Sequence, residues 1–123
     1  MTAPFIMLVD DEIEFVETIA KRLAKKNINA IKAFAAEECL EKLKAHEDLD
    51  VVVLDMKMAG MSGLETLEVI QKDFPDMKFI ILTGHCGEDD YCKGQESAAD
   101  FYLMKPLDID ELILKINQAL GNW

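Results

Sequence analysis

The chain has 123 residues, half of them apolar, and a mean hydropathy of +0.05, which suits one globular domain with a real core and excludes a disordered or membrane-embedded class. Thirteen Lys and Arg against twenty-four Asp and Glu give a net charge of −11, a field that repels a phosphate backbone, so direct nucleic-acid binding by this chain is not expected. No apolar run approaches the ~20 residues of a membrane span, and Met1-Thr2-Ala3-Pro4 carries no basic residue ahead of the apolar stretch Phe5 to Val9, so neither a signal peptide nor membrane contact is expected and the predicted location is the cytoplasm.

In chain order, Phe5-Ile6-Met7-Leu8-Val9 is a short continuous apolar run that stops at acids, the pattern of a strand buried on both faces. Ile13, Val16, Ala20 and Leu23 then recur with helical period. A weaker strand is predicted near Ile28 to Ala33, followed by a helix from about Ala36 to Ala45. Val51-Val52-Val53-Leu54 before Asp55 repeats the buried-strand pattern, and Leu64, Leu67, Ile70 and Phe74 mark the next helix. That helix begins at the capping-box pattern Ser62-Gly63-Leu64-Glu65 and stops before Pro75. Phe79-Ile80-Ile81-Leu82 before Thr83 is a further buried strand. The stretch Glu88 to Ser97 reads as a marginal helix, because Gly94 interrupts it at ~1 kcal/mol relative to Ala and its apolar stripe is thin. Phe101-Tyr102-Leu103 supplies a fifth strand, and Asp108-Ile109-Asp110-Glu111 caps a last helix striped by Ile109, Leu112, Ile113, Ile116 and Leu120. No repeat, linker or low-complexity stretch divides the chain, so residues 1–123 are expected to form one domain.

Five strand-helix alternations imply an α/β fold with a doubly wound parallel sheet and right-handed crossovers. Such sheets bind ligands beyond the carboxyl ends of their strands. Those ends carry Asp10, Asp11, Asp55, Thr83 and Lys105: three carboxylates, a hydroxyl and an ammonium on one edge. Carboxylate oxygens are what Mg²⁺ prefers, and close carboxylates repel one another without a cation. Phosphoryl transfer to a carboxylate needs mainly positioned positive charge, which Mg²⁺ and Lys105 would provide, with Asp55 as nucleophile.

These residues resemble the receiver domain of two-component response regulators over essentially the whole chain. The resemblance rests on Asp10-Asp11 after the first strand, Asp55 within Asp55-Met56-Lys57-Met58-Ala59-Gly60-Met61-Ser62-Gly63, Thr83-Gly84 after the fourth strand, and Lys105-Pro106 after the fifth. It implies a flavodoxin-like sheet of order 2-1-3-4-5 flanked by five helices. It further implies Asp55 as phosphoacceptor and an Mg²⁺ site made of Asp10, Asp11, Asp55 and the backbone carbonyl of Lys57. Lys105 would pair with the phosphoryl oxygens, Thr83 and Tyr102 would follow the phosphoryl group inward, and the peptide bond before Pro106 would be cis. The phosphodonor would be a histidine kinase or a histidine phosphotransfer protein. The signal would leave through the marginal fourth helix, the fifth strand and the fifth helix to a partner protein or an output domain. The chain would catalyse its own phosphorylation and slow dephosphorylation without turning over an external substrate. Ala59 stands where the family commonly has proline, and Lys57 and His85 occupy positions that tune dephosphorylation.

Blander roles compete at each position. Asp10 and Asp11 would serve as helix caps, Thr83 as a turn hydroxyl, Tyr102 as core, and His85 as a solvent-exposed turn residue. His46 reads as a helix-end cation, Met56, Met58 and Met61 as flexible packing, and Cys39, Cys86 and Cys92 as reduced thiols without zinc or disulfide spacing. Two other functions share parts of the pattern. A haloacid dehalogenase-type phosphatase would want an acid two residues after the nucleophile, where Lys57 stands. A flavodoxin-type electron carrier would want a Ser, Thr and Gly loop after the first strand, where Asp10-Asp11-Glu12 would repel the flavin phosphate.

Overall fold

In the computed structural model, residues 4–56, 63–83, 101–104 and 107–121 are described, with the backbone alone for Gly63, Leu64, Thr83, Phe101, Tyr102 and Met104. The strands are β1 (Phe5–Val9), β2 (Asn29–Ala33), β3 (Val51–Asp55), β4 (Lys78–Thr83) and β5 (Phe101–Met104). The described helices are α1 (Ile13–Lys25), α2 (Ala36–Ala45), α3 (Gly63–Asp73) and α4 (Ile109–Ala119). All strand pairs are parallel and the order is β2-β1-β3-β4-β5. The doubly wound arrangement expected from the sequence is thereby met. The marginal helix over 88–97, expected as the fourth of five, lies outside the described residues.

Alternation along each strand divides the core into two layers. Ile6, Leu8, Val51, Val53, Ile80, Leu82 and Leu103 face α1 and α4 through Val16, Ile19, Leu23, Leu112 and Ile116. Met7, Val9, Val52, Leu54, Phe79 and Ile81 face α2 and α3 through Cys39, Leu43, Leu67 and Ile70. Both faces of β1, β3 and β4 are covered, so each carries an unbroken apolar run, Phe5 to Val9, Val51 to Leu54 and Phe79 to Leu82.

The α1 stripe differs from the expected one. Ile13 is 53% exposed, and Val16, Ile19 and Leu23 are the buried positions. The face that the helix buries runs i, i+3, i+7 through Val16, Ile19 and Leu23.

Helix ends follow local chemistry. After α1, Asn27 adopts φ 63°, and the amides of Asn27 and Ile28 donate to the carbonyls of Ala24 and Leu23. This is a Schellman closure in which Ile28 packs in the same core layer as Leu23. The N-cap of α2, Ala35, has no side-chain oxygen. Glu38 compensates by accepting from the Phe34 amide at 2.6 Å, and its other oxygen pairs with Lys42 at 3.4 Å. Lys42 also donates to the carbonyl of Lys32 on the edge strand β2. The expected cap at the last helix is present: Asp108 accepts from the amides of Asp110 and Glu111 at 2.9 and 3.4 Å.

Candidate functional site

Because every strand runs the same way, the carboxyl ends of β1, β3, β4 and β5 lie along one edge of the sheet. The register Val9↔Leu54 makes Asp10 and Asp55 the next residues on two adjacent strands. Asp55 pairs with Leu82, and the Met56 amide continues the ladder by donating to the Leu82 carbonyl at 3.0 Å. The backbone of Thr83 therefore stands beside the residue after Asp55. Thr83 in turn pairs with Met104, the residue before Lys105.

The carboxylates of Asp10, Asp11 and Asp55 come together, each offering an oxygen within 4.8 Å of the others. Asp10 is 1% and Asp55 4% exposed, whereas Asp11 is exposed and opens the cluster to solvent. Two buried carboxylates held against a third repel one another and resist desolvation. An all-oxygen donor set of this kind fits a hard divalent cation such as Mg²⁺, which takes one or two carboxylates and keeps waters in its remaining positions.

Asp10 has a second, local task that sequence reasoning missed. Its Oδ1 accepts from the Glu12 amide at 3.0 Å, a side-chain turn two residues long that swings the chain from β1 into α1. The N-cap of α1 is Glu12, which makes no side-chain capping bond, so the capping role considered for Asp10 and Asp11 is corrected to this turn. An Asp followed by a helix start two residues later was the available signal.

The other blander readings divide. His46 ends α2 as expected from its position, and its ring also stands edge-on to Phe5 with centroids 5.7 Å apart. Met56 is buried in the layer under α2 and α3, and Cys39 is a free, buried thiol. Lys57, Met58, Met61, His85, Cys86, Cys92, Lys105 and Pro106 lie outside the described residues, as do the side chains of Thr83 and Tyr102.

Comparison with known proteins places the chain. The response regulator receiver domain profile matches residues 6–117. The transcriptional regulatory protein YvrH of Bacillus subtilis (strain 168) is 35% identical over 116 residues, 94% of this chain and 48% of that protein. The heme response regulator HssR of Staphylococcus saprophyticus is 29% identical over 117 residues, 95% of this chain and 51% of that protein. The chain thus spans about half the length of these curated relatives. Among solved structures, a response regulator receiver domain protein from Clostridium thermocellum superposes with a TM-score of 0.87 at 33% identity, covering 96% of this chain and 94% of that one. The response regulator protein TrrA from Thermotoga maritima, solved in complex with Mg(2+)-BeF, superposes with a TM-score of 0.83 at 33% identity, covering 94% of this chain and 98% of that one. The acidic edge and the family match converge: the chain belongs to the response regulator receiver domains, the phosphorylation-activated switches of two-component systems.

Proposed function

We propose that Asp55 accepts a phosphoryl group from a phosphohistidine of a histidine kinase or histidine phosphotransfer protein, and that the fold relays the change to a partner or output domain. The observation that carries this reading is the gathering of Asp10, Asp11 and Asp55 within 4.8 Å, two of them buried, at the ends of adjacent strands. A carboxylate that ends an all-apolar strand needs a reason to be buried there, and covalent chemistry supplies one.

Asp10, Asp11, Asp55 and the backbone carbonyl of Lys57 would hold Mg²⁺. Bound there, the ion supplies positive charge against the phosphoryl oxygens and offsets the repulsion among the three acids. An Asp55 oxygen attacks phosphorus in line, the phosphorus–nitrogen bond of the donor breaks, and the imidazole nitrogen keeps the electron pair and takes a proton. The product is an acyl phosphate on Asp55. Lys105 pairs with the phosphoryl oxygens, the Thr83 hydroxyl moves toward them, and Tyr102 turns inward with it. Lys57 and His85 control water access and hence the lifetime of the acyl phosphate, which the chain hydrolyses slowly without turning over an outside substrate. The register supports this set, since Thr83 pairs with Met104 immediately before Lys105.

Signal output is assigned to 88–97, β5 and α4, where Leu114 on α4 is 51% exposed and offers an apolar contact. Among the described residues no helix is long and apolar enough to cross a membrane, in keeping with a cytoplasmic switch.

The test is incubation with Mg²⁺ and acetyl phosphate, followed by intact mass. One added phosphoryl group is expected in the parent, none in Asp55→Asn, and none when EDTA removes the ion. A parent that gains no mass sinks the proposal, and so does an Asp55→Asn variant that gains as much as the parent.

A further inference from the structure

At the opposite end of the sheet, where the strands begin, the segments entering β3 and β4 enclose a shallow cavity of about 270 Å³. Its floor is apolar, formed by buried Leu49 and half-buried Phe74 and Met77, and its rim carries Glu47, Asp50 and Asp76. Asp50 uses Oδ2 to accept from the Phe5 amide at 2.8 Å. Glu47 and Asp76 are exposed, and the ion pair of Lys42 with Glu38 involves none of the three rim acids.

At about 270 Å³ the cavity lies at the small end of ligand pockets, which run from ~300 Å³ upward, and has room for one long side chain. An acidic rim above an apolar and aromatic floor complements a side chain with a cationic head and an apolar stem. Arginine fits better than lysine, because its planar guanidinium meets two carboxylates at once and stacks on an aromatic ring. The net charge of −11 adds a field that draws such a group in.

We propose that this cavity docks an arginine side chain of a partner protein. The site is separate from the phosphoryl-accepting edge: Asp50 precedes β3 and Asp55 ends it, so docking leaves the three-carboxylate cluster open. Neither proposal depends on the other.

The test is an NMR titration of the ¹⁵N-labelled chain with N-acetyl-argininamide and with N-acetyl-citrullinamide, which has nearly the same shape and no charge. Saturable shifts are expected at the amides of Leu49, Asp50 and Met77, with binding about fivefold weaker for the citrulline probe and about fivefold weaker for arginine in E47Q/D76N. Both replaced acids are exposed, and an unchanged amide spectrum away from the cavity confirms that the double variant is folded. Lack of saturation, equal binding of the two probes, unchanged affinity in E47Q/D76N, or shifts confined to Asp10 and Asp11 would each overturn the proposal.

Discussion

Asp50 and Phe5 lock the entrance to the adjacent inner strands β1 and β3 by a reciprocal pair of bonds: the Phe5 amide donates to Oδ2 of Asp50 at 2.8 Å, and the Asp50 amide donates to the Phe5 carbonyl at 2.8 Å. The edge-on contact of His46 with the Phe5 ring closes the same corner. Replacing Asp50 with Ala leaves a partly buried amide without its acceptor, a loss of about 1–2 kcal/mol. Urea unfolding of Asp50→Ala is expected to show a lower midpoint at unchanged slope, with Asp50→Asn recovering most of the difference. An Ala variant as stable as the parent would show that water replaces the carboxylate without cost.

The start of α4 rests on one side chain. Asp108 satisfies the Asp110 and Glu111 amides, and no other capping oxygen is placed there in the described residues. Asp108→Ala is expected to lower stability by about 1 kcal/mol, and Asp108→Ser to restore most of it. Thermal unfolding of the three proteins decides this, and an Ala variant that melts with the parent would mean that solvent caps the helix equally well.

Much of the framework was legible because burial on both faces leaves so plain a mark. The unbroken apolar runs Val51 to Leu54 and Phe79 to Leu82 predict strands, and the structure lengthens them to Val51–Asp55 and Lys78–Thr83. The added residues, Asp55, Lys78 and Thr83, are polar and keep the backbone pairing at the strand ends. The helix over Ala36–Ala45 has the expected ends. The acids of the site were legible for the same reason, since a buried run that stops at Asp10 or at Asp55 is conspicuous. What sequence could not give was set by geometry. Ile13 has the right spacing for the core but stays exposed, the bond from Glu12 to Asp10 depends on one local turn, and the acidic cavity joins segments about 25 residues apart that only the parallel register brings together.

Cys39 lies fully buried under the sheet, and desolvation pushes its thiol from an ordinary 9.0 up to about 12. The folded chain therefore keeps the proton where the unfolded chain gives it up. Its effect on stability is absent below about pH 8.5 and grows at about 1.4 kcal/mol per pH unit above the unfolded value, until the folded thiol itself ionises. Between pH 8 and pH 10 the parent is expected to lose about 1.4 kcal/mol more than Cys39→Ala, whatever the offset the missing sulfur introduces. Parallel pH profiles for the two proteins would refute this, as would labelling of Cys39 by a thiol reagent in the folded state at pH 8.

The three carboxylates within 4.8 Å make the acidic edge a source of strain when no cation is present. Removing one charge from a buried cluster relieves like-charge repulsion and part of the desolvation cost. In EDTA, Asp55→Asn is accordingly expected to be more stable than the parent by about 1 kcal/mol. Adding Mg²⁺ reverses the order, because a ligand that binds only the folded state stabilises it by about 1.4 kcal/mol for each tenfold excess over its dissociation constant. The variant, with one ligand fewer, gains less. Urea unfolding of both proteins with EDTA and across a Mg²⁺ series should thus give two stability curves that cross. If the variant is the weaker protein in EDTA, or if Mg²⁺ lifts both equally, these acids do not share a cation and the chemistry assigned to Asp55 loses its footing.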